Sequence, residues 1–374
     1  MVFGESSSDA LADVIPSIID THIHQWDPLT TPREASSVAR VYRFFPAAGD
    51  RLFRLRNQAD REFALTPRNL LRPYRPRDYL ADIVAVEGAT GVPVGSAVHI
   101  EAGWHGAEEL GPAGETHWID ELPFGEGRSP SLGAIVGHAD PRAPHVADLL
   151  DAHLRAANHA PFRGIRSMAA RHPDPKVRDW TDEDHALTSA SFLRGFAEVA
   201  ARDLSFEAWV YSHQMVDVVR LAREYPEVTI VLDHYATPVG VFGPMGSRTG
   251  HTAADRADIY ARWRDGIAEV ASCPNVVAKH SGLAFPFLGY GHQASGNIGS
   301  QATLTDMMGP LIDHTTDVFG PDRVMFGSNY PIDKPNASVA MIVGTLLDVL
   351  TPRGPDLLRK VFRDNAIRVY RLDA

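Results

Sequence analysis

The sequence predicts an α/β fold, a (β/α)8 TIM barrel, on three observations. Eight short β-branched runs recur along 374 residues, and amphipathic stretches of helical length separate them. No Gly-x-Gly-x-x-Gly and no P-loop follows any of these runs. Strands that alternate with helices form right-handed parallel units. Eight such units fit a closed barrel better than the alternative, an open doubly wound sheet.

The strand runs fall at 18–22, 94–101, 132–139, 163–168, 205–211, 228–235, 276–281 and 323–328. Each carries Val, Ile or aromatic residues suited to a pleated surface, such as Ile18-Ile19, Val228 to Leu232 and Val276-Val277. Helical patterns occupy 143–157, 186–202, 215–224, 255–271, 303–319, 337–350 and 355–370. Long Gly- and Pro-rich loops at 103–128, 238–252 and 282–301 follow strands, so in a barrel they emerge on the C-terminal face as lids or binding loops. The chain reads as one barrel over 1–374, and an arginine-rich insertion at 28–77 departs from the minimal plan. That insertion reads as a subunit contact, which would make the chain a homo-oligomer, or as a solvated cover. The other reading is a lid that attracts an anionic substrate.

Composition narrows the functional classes. Hydrophobic residues make up 44% and charged residues 22%, which supports a sizeable core. A net charge of −11 argues against nucleic-acid binding and leaves a small molecule as the expected partner. No apolar run approaches the ~20 residues that span a bilayer, so no membrane partner is expected. The start of the chain shows no secretory h-region, and the single cysteine, Cys273, excludes an intrachain disulfide. A reducing cytoplasm is the expected location.

The densest chemistry lies at strand ends. His22 and His24 end the first run, and residues two apart on a strand point the same way. Neutral imidazole is both a metal ligand and an acid/base near pH 7. Taken alone, such a pair is equally often structural. Later runs end in His99 and Glu101, followed by Trp104 and His105. Further on come His138 and Asp140, Arg163 and Arg166, Tyr211 and His213, Asp233 and His234, Lys279 and His280, and Asn329 to Asp333. Polar groups at nearly every strand end exceed what packing needs, although Asp233 alone reads as a cap and Lys279 as the partner of a buried carboxylate.

These residues resemble the amidohydrolase superfamily. Ile19-Asp20-Thr21-His22-Ile23-His24-Gln25-Trp26-Asp27-Pro28 is similar to its opening signature. The likeness is to the branch of barrel hydrolases that contains 2-pyrone-4,6-dicarboxylate lactonase and L-fuconolactonase. Stretches 162–166, 231–234, 275–283 and 326–331 support it in the expected order, everywhere except 28–77. The resemblance implies that His22, His24 and His234 surround a reacting carbonyl. They would act as ligands of a divalent metal such as Zn2+ or, without metal, as hydrogen-bond donors. It also implies that Arg166, with Arg163, holds an anionic group and that Tyr211 lies against the substrate.

One departure matters. The resembled lactonases end the eighth strand with Asp, whereas this chain has Asn329, which cannot take a proton. Another base is needed, and the candidates are Glu101, His213, His280 and Asp333. Glu101 leads, because burial raises a carboxyl pKa, and Asp333 reads as more exposed. His213 is a further metal candidate, His280 a substrate contact, and Trp104, Trp209, Tyr235, Phe285 and Phe287 an apolar wall. The expected activity is hydrolysis of a lactone of a small anionic acid. Metal-dependent decarboxylation of an aromatic or unsaturated acid is the alternative, and a non-catalytic binding barrel is a third reading.

Overall fold

A computed structural model of the chain describes residues 9–106, 108–290 and 298–373. Part of the loop expected at 282–301 therefore lies outside the described residues. One parallel sheet runs in sequence order through β1 (Ile18–Ile23), β2 (Val94–Ile100), β3 (Ser131–His138), β4 (Phe162–Arg166), β5 (Ser205–Ala208), β6 (Ile230–Leu232), β7 (Val276–His280) and β8 (Val324–Phe326). The last strand returns to the first. Ile23 bridges Tyr330, and the Asn329 N–H donates to the His22 carbonyl at 2.8 Å. The chain is thus a nearly closed (β/α)8 barrel.

Side-chain alternation sorts the barrel. Ile19, Val98, Val136, Val231, Val277 and Met325 fill its floor together with Tyr370 and Leu372 from the end of the chain. Ile230, Leu232 and Ala278, on the opposite parity, pack outward against the helices. Asp233 and Lys279 therefore stand one layer above Val231 and Val277, inside the barrel.

Capping sets several helix limits. The helix Ala253–Ala271 begins at Thr252, whose hydroxyl accepts from the Asp255 N–H at 3.0 Å while Asp255 caps Thr252 in return. The stretch expected at 186–202 is split, because Ser189 caps a new helix, Ala190–Ala201, after a short 3-10 turn. Two helices were not expected, Pro76–Thr90 and Ala113–Asp120. Among the described residues, no helix is long and apolar enough to cross a membrane.

The insertion folds into four short helices, Ser36–Tyr42, Pro46–Phe53, Gln58–Ala64 and Pro67–Leu71. It lies over the C-terminal mouth of the barrel. Gln58 donates to the Gly246 carbonyl at 2.7 Å, Glu62 accepts from the Gly246 N–H at 2.9 Å, and Asn69 donates to the Pro331 carbonyl at 2.6 Å.

Candidate active site

The strand ends bring together a buried charged centre. Lys279, fully buried, donates to Glu207 at 2.5 Å and stands 3.5 Å from Asp233 and 3.2 Å from His22 Nδ1. His22 Nδ1 lies 3.2 Å from Asp233 Oδ1, and the His22 and His234 ring centroids are 4.4 Å apart. Two glycines permit this approach. A Cβ on Gly327 would sit 2.7 Å from His22 Cβ, and one on Gly282, at φ +66°, would sit 2.9 Å from His234 Cβ.

His234 is aimed by unusual backbone. Four consecutive non-glycine residues, His234 to Thr237, have positive φ and form one left-handed turn. Each such residue costs on the order of 1 kcal/mol, and surrounding contacts hold the turn in place. Trp263 donates to the Tyr235 carbonyl at 2.8 Å, and Trp209 donates to the Thr237 hydroxyl at 3.1 Å. Strain of this kind concentrates at functional sites.

Above the charged centre, His24, Glu101, Arg166, His234 and Asn329 line a cavity of about 1370 Å³ at the barrel mouth. His234 Nδ1 is bonded to the Ser281 hydroxyl at 2.8 Å, and His24 Nδ1 to the Ile100 carbonyl at 2.9 Å. In each ring this leaves Nε2 for other partners. Burial pushes the pKa values of His22 and His234 well below the usual range, and that of His24 down to about 4. Neighbouring charge adds to this, chiefly Lys279 at His22 and Arg166 at His24. All three rings are neutral at pH 7 and keep a lone pair.

Several expectations are corrected. Glu101 is buried as foreseen, but Arg166 Nε donates to its Oε1 at 2.8 Å and Arg166 Nη2 to its carbonyl at 2.8 Å. Burial raises the Glu101 pKa, yet the charges of Arg166 and His138 outweigh it and the net shift is downward. Glu101 is therefore a fixed carboxylate rather than a base. Arg166 is in turn already held by a carboxylate, with only Nη1 turned inward, 3.5 Å from His22 Nε2. Arg163 lies near the other end of β4, where its guanidinium donates to the Arg371 carbonyl at 3.2 Å. It cannot reach the centre.

Four further residues are turned away from the cavity. His280 has the outward parity of Ala278 and binds the Tyr235 hydroxyl at 2.9 Å and Thr316 at 3.1 Å. The Tyr211 hydroxyl donates to the Arg178 carbonyl at 2.6 Å, and Trp104 packs against Gly114. His213 sits beside His172, with ring centroids 5.4 Å apart, away from His22 and His234. It joins no metal-ligating group there.

Asp333, expected to be more exposed, is fully buried. Lys334 pairs with Asp82 instead, and Asp333 accepts from Asn329 Nδ2 at 2.7 Å and from the Ala284 N–H at 2.8 Å. Burial raises its pKa to about 8. Asn329 faces His24 Nε2 on its other side, at 3.3 Å.

Sequence reasoning assigned no site role to Glu207, Asp233 or Lys279, although it read Lys279 as the partner of a buried carboxylate, which Glu207 is. Their inward parity was the available signal. Among the described residues, His22, Asp233 and His234 offer ligand atoms within 4.8 Å of one another. His24 is not in that set, because its Nε2 turns to Asn329. Both Asp233 carboxylate oxygens are buried without a hydrogen-bond partner. Two neutral imidazoles and an unsatisfied carboxylate fit the donor chemistry of a divalent metal.

Paired histidines, a carboxylate and an arginine converge at the C-terminal mouth of the barrel, where enzymes of this fold carry their chemistry. The amidohydrolase family model matches residues 19–372, and the chain belongs to that family. Over 360 residues it is 30% identical to protein y4mH of Sinorhizobium fredii, covering 95% of this chain and 99% of that one. It is also 30% identical over 258 residues to an L-fucono-1,5-lactonase of Burkholderia multivorans, covering 68% and 73%. A crystal structure of an amidohydrolase from Burkholderia multivorans with bound HEPES superposes with a TM-score of 0.65. It is 25% identical, and the match covers 96% of this chain and all of that one. Membership in an enzyme family sets aside the non-catalytic barrel.

Proposed function

We propose that this enzyme hydrolyses the C–O ester bond of a lactone. The observation that carries this reading is the convergence of His24, His234, Arg166 and Asn329 on one cavity floor, together with the relatives named as lactonases. Arg166, held by Glu101, presents its inner N–H groups to the substrate carbonyl and to the oxyanion that forms from it. Asn329 orients the attacking water. His24 Nε2, neutral and outside the candidate metal set, takes the proton of that water as oxygen bonds to the carbonyl carbon. The tetrahedral centre then expels the ring oxygen, and His24 returns the proton to it, giving a hydroxy acid. A divalent metal on His22, Asp233 and His234 would supply Lewis acidity and a more acidic water.

The test is a lactone panel followed by pH-stat titration and headspace CO2 measurement, with metal content determined before and after chelation. The expected outcome is acid release without CO2, reduced at least 100-fold by His24→Ala. CO2 release from an aromatic acid would instead establish decarboxylation. No acid from any lactone, with zinc or manganese supplied, would overturn the proposal.

A further inference from the structure

We infer that the substrate is a lactone carrying a large apolar appendage, an alkyl chain or fused ring system, which lies along the insertion. The inference rests on the lactonase reading and departs in size from the small anionic acid expected from sequence. Three observations carry it. At about 1370 Å³, the cavity exceeds the roughly 300–1,000 Å³ of ordinary small-molecule sites. Its apolar wall starts at the reacting groups, with Phe285 at 5.6 Å from the His234 ring and Trp209 at 5.9 Å from the Arg166 guanidinium. Phe63 of the insertion continues that wall, 6.5 Å from Phe285.

The wall then runs onto side chains that have no cover of their own. Val41, Phe45 and Leu52 line the same cavity yet are 62%, 65% and 66% exposed. A sugar-sized lactone at the floor would leave them in water. An appendage continuous with the ring would cover them.

Each arginine lining the cavity already has a carboxylate partner. Arg166 has Glu101 at 2.8 Å, Arg33 has Glu115 at 3.7 Å, Arg56 and Arg178 share Asp60 at 2.5 and 2.6 Å, Arg142 has Asp140 at 2.8 Å, and Arg171 has Asp184 at 3.2 Å. Two of them keep a free donor: Arg166 Nη1 turns inward, and Arg33 Nη1 is buried without a hydrogen-bond partner.

The experiment is a series of δ-lactones with side chains of one to seven carbons, run beside L-fucono-1,5-lactone. The matching 2-alkylcyclohexanones, which cannot be hydrolysed, are titrated by calorimetry. Roughly a threefold to fourfold rise per methylene is expected in kcat/KM and in ketone affinity over at least four carbons. Phe45→Asp and Leu52→Asp flatten that slope. Leu55→Asp leaves it unchanged, since that side chain is 82% exposed and does not line the cavity. If no lactone is turned over while ketone affinity still climbs with length, the lactonase reading fails and the apolar occupant stands. A flat slope in both series overturns the inference, as does preference for the sugar lactone. A dimer that dissociates on Phe45→Asp, with no length dependence, assigns the exposed side chains to a second copy and overturns it too.

Discussion

Asp333→Asn should remove a large pH-dependent liability from the fold. Asp333 is fully buried, ionises near 4 in an unfolded chain and at about 8 in the folded one, because burial outweighs the Ala284 and Asn329 hydrogen bonds. Between these values the folded state keeps a proton that the unfolded state has lost. Raising the pH therefore favours unfolding, by about 1.4 kcal/mol per pH step. The stabilising difference is complete below pH 4, shrinks through the interval, and is gone above the folded pKa. Over the interval it amounts to up to about 5 kcal/mol. Asparagine mimics the protonated acid: its oxygen can accept from the Ala284 N–H, and its amide can donate to Asn329 after that side chain turns over. Urea denaturation of both proteins at pH 5 and pH 8.5 provides the assay. The variant should be more stable by roughly 1–2 kcal/mol at pH 5 and by roughly 5 kcal/mol at pH 8.5. A stability difference that does not change with pH would refute the reasoning.

Two other perturbations follow from the charged centre. Lys279→Met leaves Asp233 and Glu207 buried without their cation, a loss of about 3–5 kcal/mol. With 374 residues and about 2.1 cal/mol/K of unfolding entropy per residue, calorimetry should show Tm lowered by about 4–6 °C, and a change below 1 °C would contradict the ion-pair assignment. Glu101→Gln keeps the volume but frees Arg166 to swing from its fixed pose. Steady-state kinetics on the best lactone should show kcat down by about 10- to 100-fold, with KM moving less, whereas unchanged kcat would show that the tether is dispensable.

The eight strands were legible because their β-branched runs are separated by helices of sufficient length, a local signal. Their ends were not. The run expected at 228–235 stops as strand at Leu232, because His234 to Thr237 turn left-handed, which residue type alone does not announce. Lys279 and His280 show what alternation offers, since neighbours on a strand take opposite faces and Val277 marks Lys279 as the inward one. Glu101 shows what alternation cannot offer. Its burial was readable at the end of an apolar strand, but its pKa is set by a guanidinium 65 positions away on another strand. Asp333 fails in the same manner, because its own neighbours, Lys334 and Pro331, say nothing of the Asn329 and Ala284 donors that enclose it.

Charge balance explains why the histidines can serve as neutral groups in so polar a centre. Arg166 and Lys279 supply two cations, and Glu101 and Asp233 supply two carboxylates. Glu207 lies against the same ammonium as Asp233, and burial pushes its pKa up to about 8, while at Asp233 burial is outweighed, chiefly by the Lys279 ammonium, and the net shift is downward. The two acids therefore share one proton at pH 7. Protonating His22 would place a third cation 3.2 Å from Lys279, a repulsion of about 5 kcal/mol at an effective dielectric of 20. A protein with Glu207 fully ionised would relax that repulsion and draw a proton onto His22, so Glu207's neutral form and His22's free lone pair are one condition of the same site.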